Sequence, residues 1–488
     1  MRQKSRAFFI LFSILFYGWT ALSFSQERFR KNAPDPDPLP TLNLPEIETA
    51  SLSNGLTLSV IKRENLPLIT VRLVIFAGEL HSPEEFPGTA AFAANMVLRR
   101  SVKHDSEEIE EMVESIGGQF YASIFPDFVM FTFTFLEEFL DTGLEIISEL
   151  ILQPAFTSVE IASVKRLMFY DLLNKATDSE YIAKRQLDQI LFINHPYSKS
   201  VYNEEVIKNL NERVLLPFFN THYNPNHAWI FLTGNLSLGT ASRKVSRYFQ
   251  TWEKKNREIP ALPSLIPNKK LKVCFVHKPE EKQATIFMGN ILAPVSAVDI
   301  FPLLVINQVL GGTTTSRLFM NLRESKEYAY YAFSQLELFK ACAVYLIRTR
   351  VRPEVTRAAV METLGEMEKI TKEKIPSFEI EQAKSYLIGN FPINIETHDT
   401  LSLKVAQIQA FQFGEALWDD YLENIMLIDS NRVFEAAQKY DFLSPVVVIV
   451  GDREILTEHL LEFEEVEVYD QKGVHLYTLT KETSDETR

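Results

Sequence analysis

From about residue 50 the sequence alternates between two periods. "LTLSVIKR" (56–63) and "ITVRLVIFAG" (69–78) are β-branched, strand-like runs separated by the turn-prone "ENLP". Helix-period segments follow at 88–100, 105–116 and 136–152. Asp105 stands where an N-cap belongs, before an acidic first turn, and Gly117-Gly118 supplies a helix stop. "QFYASIFPDFVMFTFTF" (119–135) then returns to the strand period.

The same order recurs. "YNPNHAWIFLTGN" (223–235) and "YDFLSPVVVIVGD" (440–452) share a Tyr, a buried strand and a Gly eleven residues on. "EIASVK" (160–165) and "EIEQAK" (379–384) share Glu-Ile-x-x-x-Lys within long helical stretches. The two offsets, 217 and 219, agree on a single duplication. Each half mixes helices with strands, which predicts α+β halves rather than a doubly wound parallel sheet. "QTWEKKNREIPALPSLIPNKK" (250–270), charged and then Pro-rich, reads as the linker.

Composition narrows the function. With 488 residues, 46% apolar and 12% aromatic, the protein has enough to bury more than one core. A net charge of −14, with no Lys/Arg run interleaved with aromatics, argues against nucleic acid. Arg2, Lys4 and Arg6 precede the apolar run Ala7–Phe24, with small residues at Ser23 and Ser25, as in a signal peptide (1–25). An uncleaved anchor is the alternative. Cleavage removes three cations and moves the charge from −14 to −17. A Pro-rich leader (26–46) follows, and no later stretch is apolar enough to span a membrane. The expected location is outside the cytoplasm, in a bacterial periplasm or extracellular. The two cysteines, Cys274 and Cys342, lie in strand-like runs and read either as a pair or as two inert thiols.

The ordered pieces resemble the insulinase-like metallopeptidase family, M16, which includes the mitochondrial processing peptidase and the core subunits of the respiratory bc1 complex. They are "LSNGLTLSVI", "FAGEL", "IGGQFYASIFPDF", "FTSVEIASVK", "HPYSKSVYNEEVIKNLNERVLLPFFNTHYNPNHA" and "INQVLGGTTTSRLFMNLRESKEYAYYAF". The order carries the resemblance; no single piece does. It implies two homologous α+β domains, each an antiparallel sheet packed with helices, forming one half of a clam-like chamber. They would span 47–250 and 271–470, with a linker at 251–270 and a polar tail at 471–488.

Active members of that family carry an inverted His-x-x-Glu-His on the first helix and a third zinc ligand on a later one. Residues at i and i+4 share a helix face, so two imidazoles grip one metal while the Glu activates water. Here the His slots hold Ala91 and Asn95, the Glu slot holds Ala94, and the third-ligand position, 76 residues after Asn95, is Asp171. Alanine neither binds metal nor accepts a proton, Asn is a poor neutral ligand, and one carboxylate does not hold a catalytic zinc. No metal is expected in this protein. His222 and His227 straddle a turn, and the other seven histidines are scattered singly. "GGTTTSRLF" (311–319) lacks a phosphate-loop context and reads as a tight turn.

The second half keeps Arg323 and Tyr330, where the resemblance implies a substrate-binding pair that polarises the scissile carbonyl; a slipped register would offer Tyr328 or Tyr331. The implied function is a non-catalytic, exported subunit that gives its Arg/Tyr side to a zinc-bearing partner acting on unstructured peptide. The alternatives are a scaffold or peptide-binding protein with no protease partner and, less favoured, a self-sufficient zinc peptidase.

Overall fold

The computed structural model describes residues 44–200, 202–255, 262–411, 417 and 420–480. The expected signal peptide and most of the leader lie outside them.

Among the described residues thirteen strands form two sheets. The first contains β1 (Ile47–Ser51), β2 (Thr57–Lys62), β3 (Leu68–Ile75), β4 (Gln119–Ile124), β5 (Val129–Leu136) and β6 (Ala228–Gly234), in the order β1-β2-β6-β3-β5-β4. The second contains β7 (Lys272–His277), β8 (Ala284–Leu292), β9 (Ala329–Leu338), β10 (Ala343–Val351), β11 (Val446–Gly451), β12 (Glu465–Tyr469) and β13 (His475–Thr480), in the order β13-β12-β7-β11-β8-β10-β9.

The duplication is visible as strand order. β2-β6-β3-β5-β4 corresponds to β7-β11-β8-β10-β9. β6 runs parallel to β2 and antiparallel to β3, just as β11 runs parallel to β7 and antiparallel to β8. Gly234 and Gly451 end the two equivalent strands. Lys165 and Lys384 lie on equivalent helices, Ser158–Ala176 and Ser377–Asn390. The sheets are mixed rather than purely antiparallel, because β6 and β11 each insert between two earlier strands, parallel to one of them, and β12 adds parallel to β7.

Each half lends a helix to the other. Ser179–Leu191, from the first half, packs on β8 and β11; His398–Ala410, from the second, packs on β3 and β6. β3 is therefore covered on both faces, which explains a near-continuous apolar strand. Ile69, Val71, Leu73 and Ile75 face the first core. Arg72, 1% exposed, points the other way and donates to Ser402 Oγ (2.7 Å), Thr132 Oγ1 (2.6 Å) and Asp399 Oδ1 (2.6 Å). In the other half Glu180 accepts from Tyr331 (2.6 Å) and Arg348 (3.2 Å). Glu180 and Asp399 are each the second residue of the exchanged helix, so the two carboxylates hold equivalent places in the duplication, while Arg72 on β3 and Arg348 on β10 come from non-equivalent strands.

Two boundaries shift. Trp252, expected in the linker, is buried in the first core, and the segment expected as a polar tail contributes β13, paired to β12. β13 is an edge strand whose residues are exposed or half-buried, so no apolar alternation marks it. Cys274 and Cys342 are free and buried.

Candidate functional site

The helix Thr89–Val97 holds the degenerate zinc motif. It starts after Gly88, whose φ of +84° favours glycine and whose Cβ, if added, would lie 2.6 Å from the Tyr202 ring. Eight of its nine residues are buried, Ala91 and Ala94 among them; Asn95 is the exception. Alanine at these slots lets the helix pack as core against the helices Ser158–Ala176 and Glu212–His222.

Glu79 anchors the start of this helix. Its carboxylate accepts from Ser82 Oγ (2.8 Å) and from the backbone N–H groups of Gly88 (3.1 Å) and Ala91 (2.9 Å). It thus satisfies amides that a helix N-terminus leaves unpaired. Burial pushes its pKa up to about 7, against the pull of those three donors.

Ala91, Asn95 and Asp171 line one cavity of about 810 Å³ at the junction of the halves, together with Glu79, Tyr202, Lys184, Glu337 and Lys404. Three of the four degenerate positions thus still converge, while Ala94 is wholly buried beside them. Their chemistry does not fit zinc. Asn95 Nδ2 donates to the Ala91 carbonyl (2.8 Å), and Asp171 is paired with Lys175 (2.6 Å). The oxygens of Glu79, the other carboxylate nearby, already accept from the hydroxyl and amides of the helix start. Among the described residues no group of three or more His, Cys, Asp or Glu could hold a metal ion.

Across the cavity Lys184 bridges Asp188 (2.7 Å) and Glu337 (3.0 Å). Burial raises the Asp188 carboxyl to about 6, with Glu337 adding to the rise and Lys184 opposing it. Asp188 and Glu337 come from different halves, so this ion cluster also joins them.

Arg323 and Tyr330 lie elsewhere. Arg323 sits in a π-helical turn, Phe319–Ser325, with its guanidinium 4.8 Å from the Phe319 ring and 5.4 Å from the Tyr330 ring. Tyr330 is 80% exposed. The two are brought together with each other and do not line the 810 Å³ cavity. Tyr331, the slipped-register alternative, is committed to Glu180. Burial and that carboxylate raise its phenol pKa.

One reading of the histidines changes. His81 and His222 are not isolated: their ring centroids lie 4.9 Å apart. Burial and the charges of His222 and His227 lower His81 to about 3. The turn after β3 and the end of the Glu212–His222 helix meet in space, which linear spacing does not reveal. Glu79 and Lys404 also escape sequence reasoning. The signal for Glu79 is an acid directly after the apolar β3 run in "FAGEL"; Lys404 carries none.

Family models place this arrangement. Residues 59–205 match insulinase (peptidase family M16), and residues 209–387 match the peptidase M16 inactive domain. The chain belongs to peptidase family M16. M16 relatives include an uncharacterized zinc protease, YmxG, of Bacillus subtilis, 21% identical over 391 residues, covering 79% of this chain and 94% of that one. They also include the non-peptidase homolog YmxG of Helicobacter pylori, 23% identical over 367 residues, covering 70% and 80%. The M16 fold is shared with the crystal structure of a peptidase M16 inactive domain from Pseudomonas fluorescens (TM-score 0.77, 18% identity, 83% of this chain and 98% of that one). It is shared too with the periplasmic protease PqqL of Escherichia coli (TM-score 0.70, 14% identity, 87% and 48%).

Proposed function

We propose that this protein is a non-catalytic M16 subunit that works outside the cytoplasm and completes the peptide chamber of a zinc-bearing partner. The observation that carries the reading is a division of parts. The zinc ligands and general base are replaced by Ala91, Ala94, Asn95 and a lysine-paired Asp171, while a half-buried Arg323 remains stacked on an exposed Tyr330. A partly exposed guanidinium beside an exposed phenol suits donation to an oxyanion that forms on another molecule's site. A scaffold without a protease partner has no use for such a pair. Export is supported by the cationic and then apolar N-terminal run. Among the described residues no helix is long and apolar enough to cross a membrane. A periplasmic family neighbour, PqqL, agrees with that location.

The test is isolation from the native host with a tag on this protein. The expected result is co-purification, in fixed ratio, of a second M16 subunit that keeps His-x-x-Glu-His. The tagged protein alone should bind less than a tenth of an equivalent of zinc (about 0.1) and cleave no unstructured peptide, because two ligands and the base are gone. One zinc per molecule, with peptidase activity lost on chelation, overturns the reading.

A further inference from the structure

Three lysines and four carboxylates line the 810 Å³ cavity, and one of the lysines has no carboxylate partner among the described residues. Asp171 is paired with Lys175, and Lys184 with Asp188 and Glu337. Glu79 is satisfied by backbone amides and Ser82. Lys404 differs from all of these. It projects from the exchanged helix His398–Ala410 and lines both this cavity and an adjoining one of about 250 Å³. The residues of the smaller cavity are mostly apolar or neutral, among them Leu387, Phe391, Leu403 and Tyr421. Gln407, one turn along the helix, lines the same two cavities.

Among the described residues no carboxylate pairs with Lys404. Burial alone lowers its pKa, with no neighbouring charge opposing it. Lys404 is half-buried on the wall of both cavities; a partly desolvated ammonium with no carboxylate beside it is costly, and an anion that fills the cavity would relieve that cost.

We propose that Lys404, with Gln407 beside it, is the recognition point for a peptide carboxylate within the cavity. This rests on the peptide-chamber reading above and goes beyond it by giving the ligand a charge and an anchor. A carboxylate accepts from the Lys404 ammonium, and the Gln407 amide can donate a second hydrogen bond to it. The paired charges elsewhere on the wall leave no second free cation among the described residues to compete. Two sources supply this group, the free C-terminus of a peptide and an Asp or Glu side chain.

The experiment uses a fluorescently labelled Leu/Ala/Ser peptide in four forms, with a free or amidated C-terminus and with one Glu or the matching Gln. Binding to the purified protein is read by anisotropy. At least one carboxylate should tighten wild-type binding about tenfold over the form with neither, the scale of one charge-assisted hydrogen bond. Loss on amidation assigns the C-terminus, and loss on Glu→Gln assigns the side chain. Lys404→Met should erase the difference and Lys404→Arg should keep it, with melting curves verifying both folds. If Lys404→Met does not fold, the wild-type comparison and its weakening at high salt still decide. Equal binding of all four forms, or an unchanged preference in Lys404→Met, overturns this proposal. Binding of none would instead refute the peptide-chamber reading on which it rests.

Discussion

Two groups just before the Thr89–Val97 helix, Glu79 buried and His81 half-buried, tie stability to pH in opposite senses. Glu79 has its pKa raised from 4.5 to about 7 by burial, so the fold favours its neutral form. Its contribution to stability is present below the ordinary carboxylate range and is lost as pH rises through about 7, by on the order of 3 kcal/mol. His81 has its pKa lowered from 6.5 to about 3 by burial and the neighbouring histidines. Its contribution is present above the ordinary His range and is lost as pH falls toward 3. Urea unfolding between pH 4 and pH 8.5 should therefore show both limbs. Glu79→Gln should flatten the alkaline side and His81→Asn the acid side. An unchanged pH profile in either variant contradicts the assignment of that limb. Both residues are hard to see in the sequence, because their partners are backbone amides in one case and a helix some 140 residues away in the other.

At the scale of elements, local chemistry was legible and exchange was not. Asp105 caps its helix in a capping box with Glu108, as the first-turn acids indicated. β2, β3 and β5 fall largely within the runs that alternation marked. The two shared motifs led to equivalent elements because the duplication preserved their places. The crossing of Ser179–Leu191 and His398–Ala410 between halves left no periodic trace, since an amphipathic face does not say which sheet it covers. The clamps give the exchange a measurable strength. Asp399→Ala leaves the buried Arg72 guanidinium with neutral acceptors only, and should cost about 3 kcal/mol in urea unfolding. Glu180→Ala frees Arg348 and Arg350, which are a third or more exposed, and should cost about 1 kcal/mol or less. Equal losses would mean that the two clamps are not buried differently in solution.

In the whole molecule, a family fold is joined to a missing set of ligands. The protein keeps the zinc helix as packing, the cavity as a space between its halves, and an arginine and tyrosine on an exposed face. The family and the degenerate slots were legible from motif order. The separation of Arg323 and Tyr330 from the cavity was not, because strand β9 runs past both regions and sequence does not give the distance between them. The measurement that bears most directly on the central claim is kcat/KM of the complex reconstituted with the proposed zinc-bearing partner. Arg323→Ala and Tyr330→Phe should each leave the melting curve and complex formation unchanged. Each should lower turnover about a hundredfold or more, since one oxyanion donor is worth on the order of 2.7–4 kcal/mol. Wild-type kcat/KM from both variants would contradict the account and leave only a scaffold role.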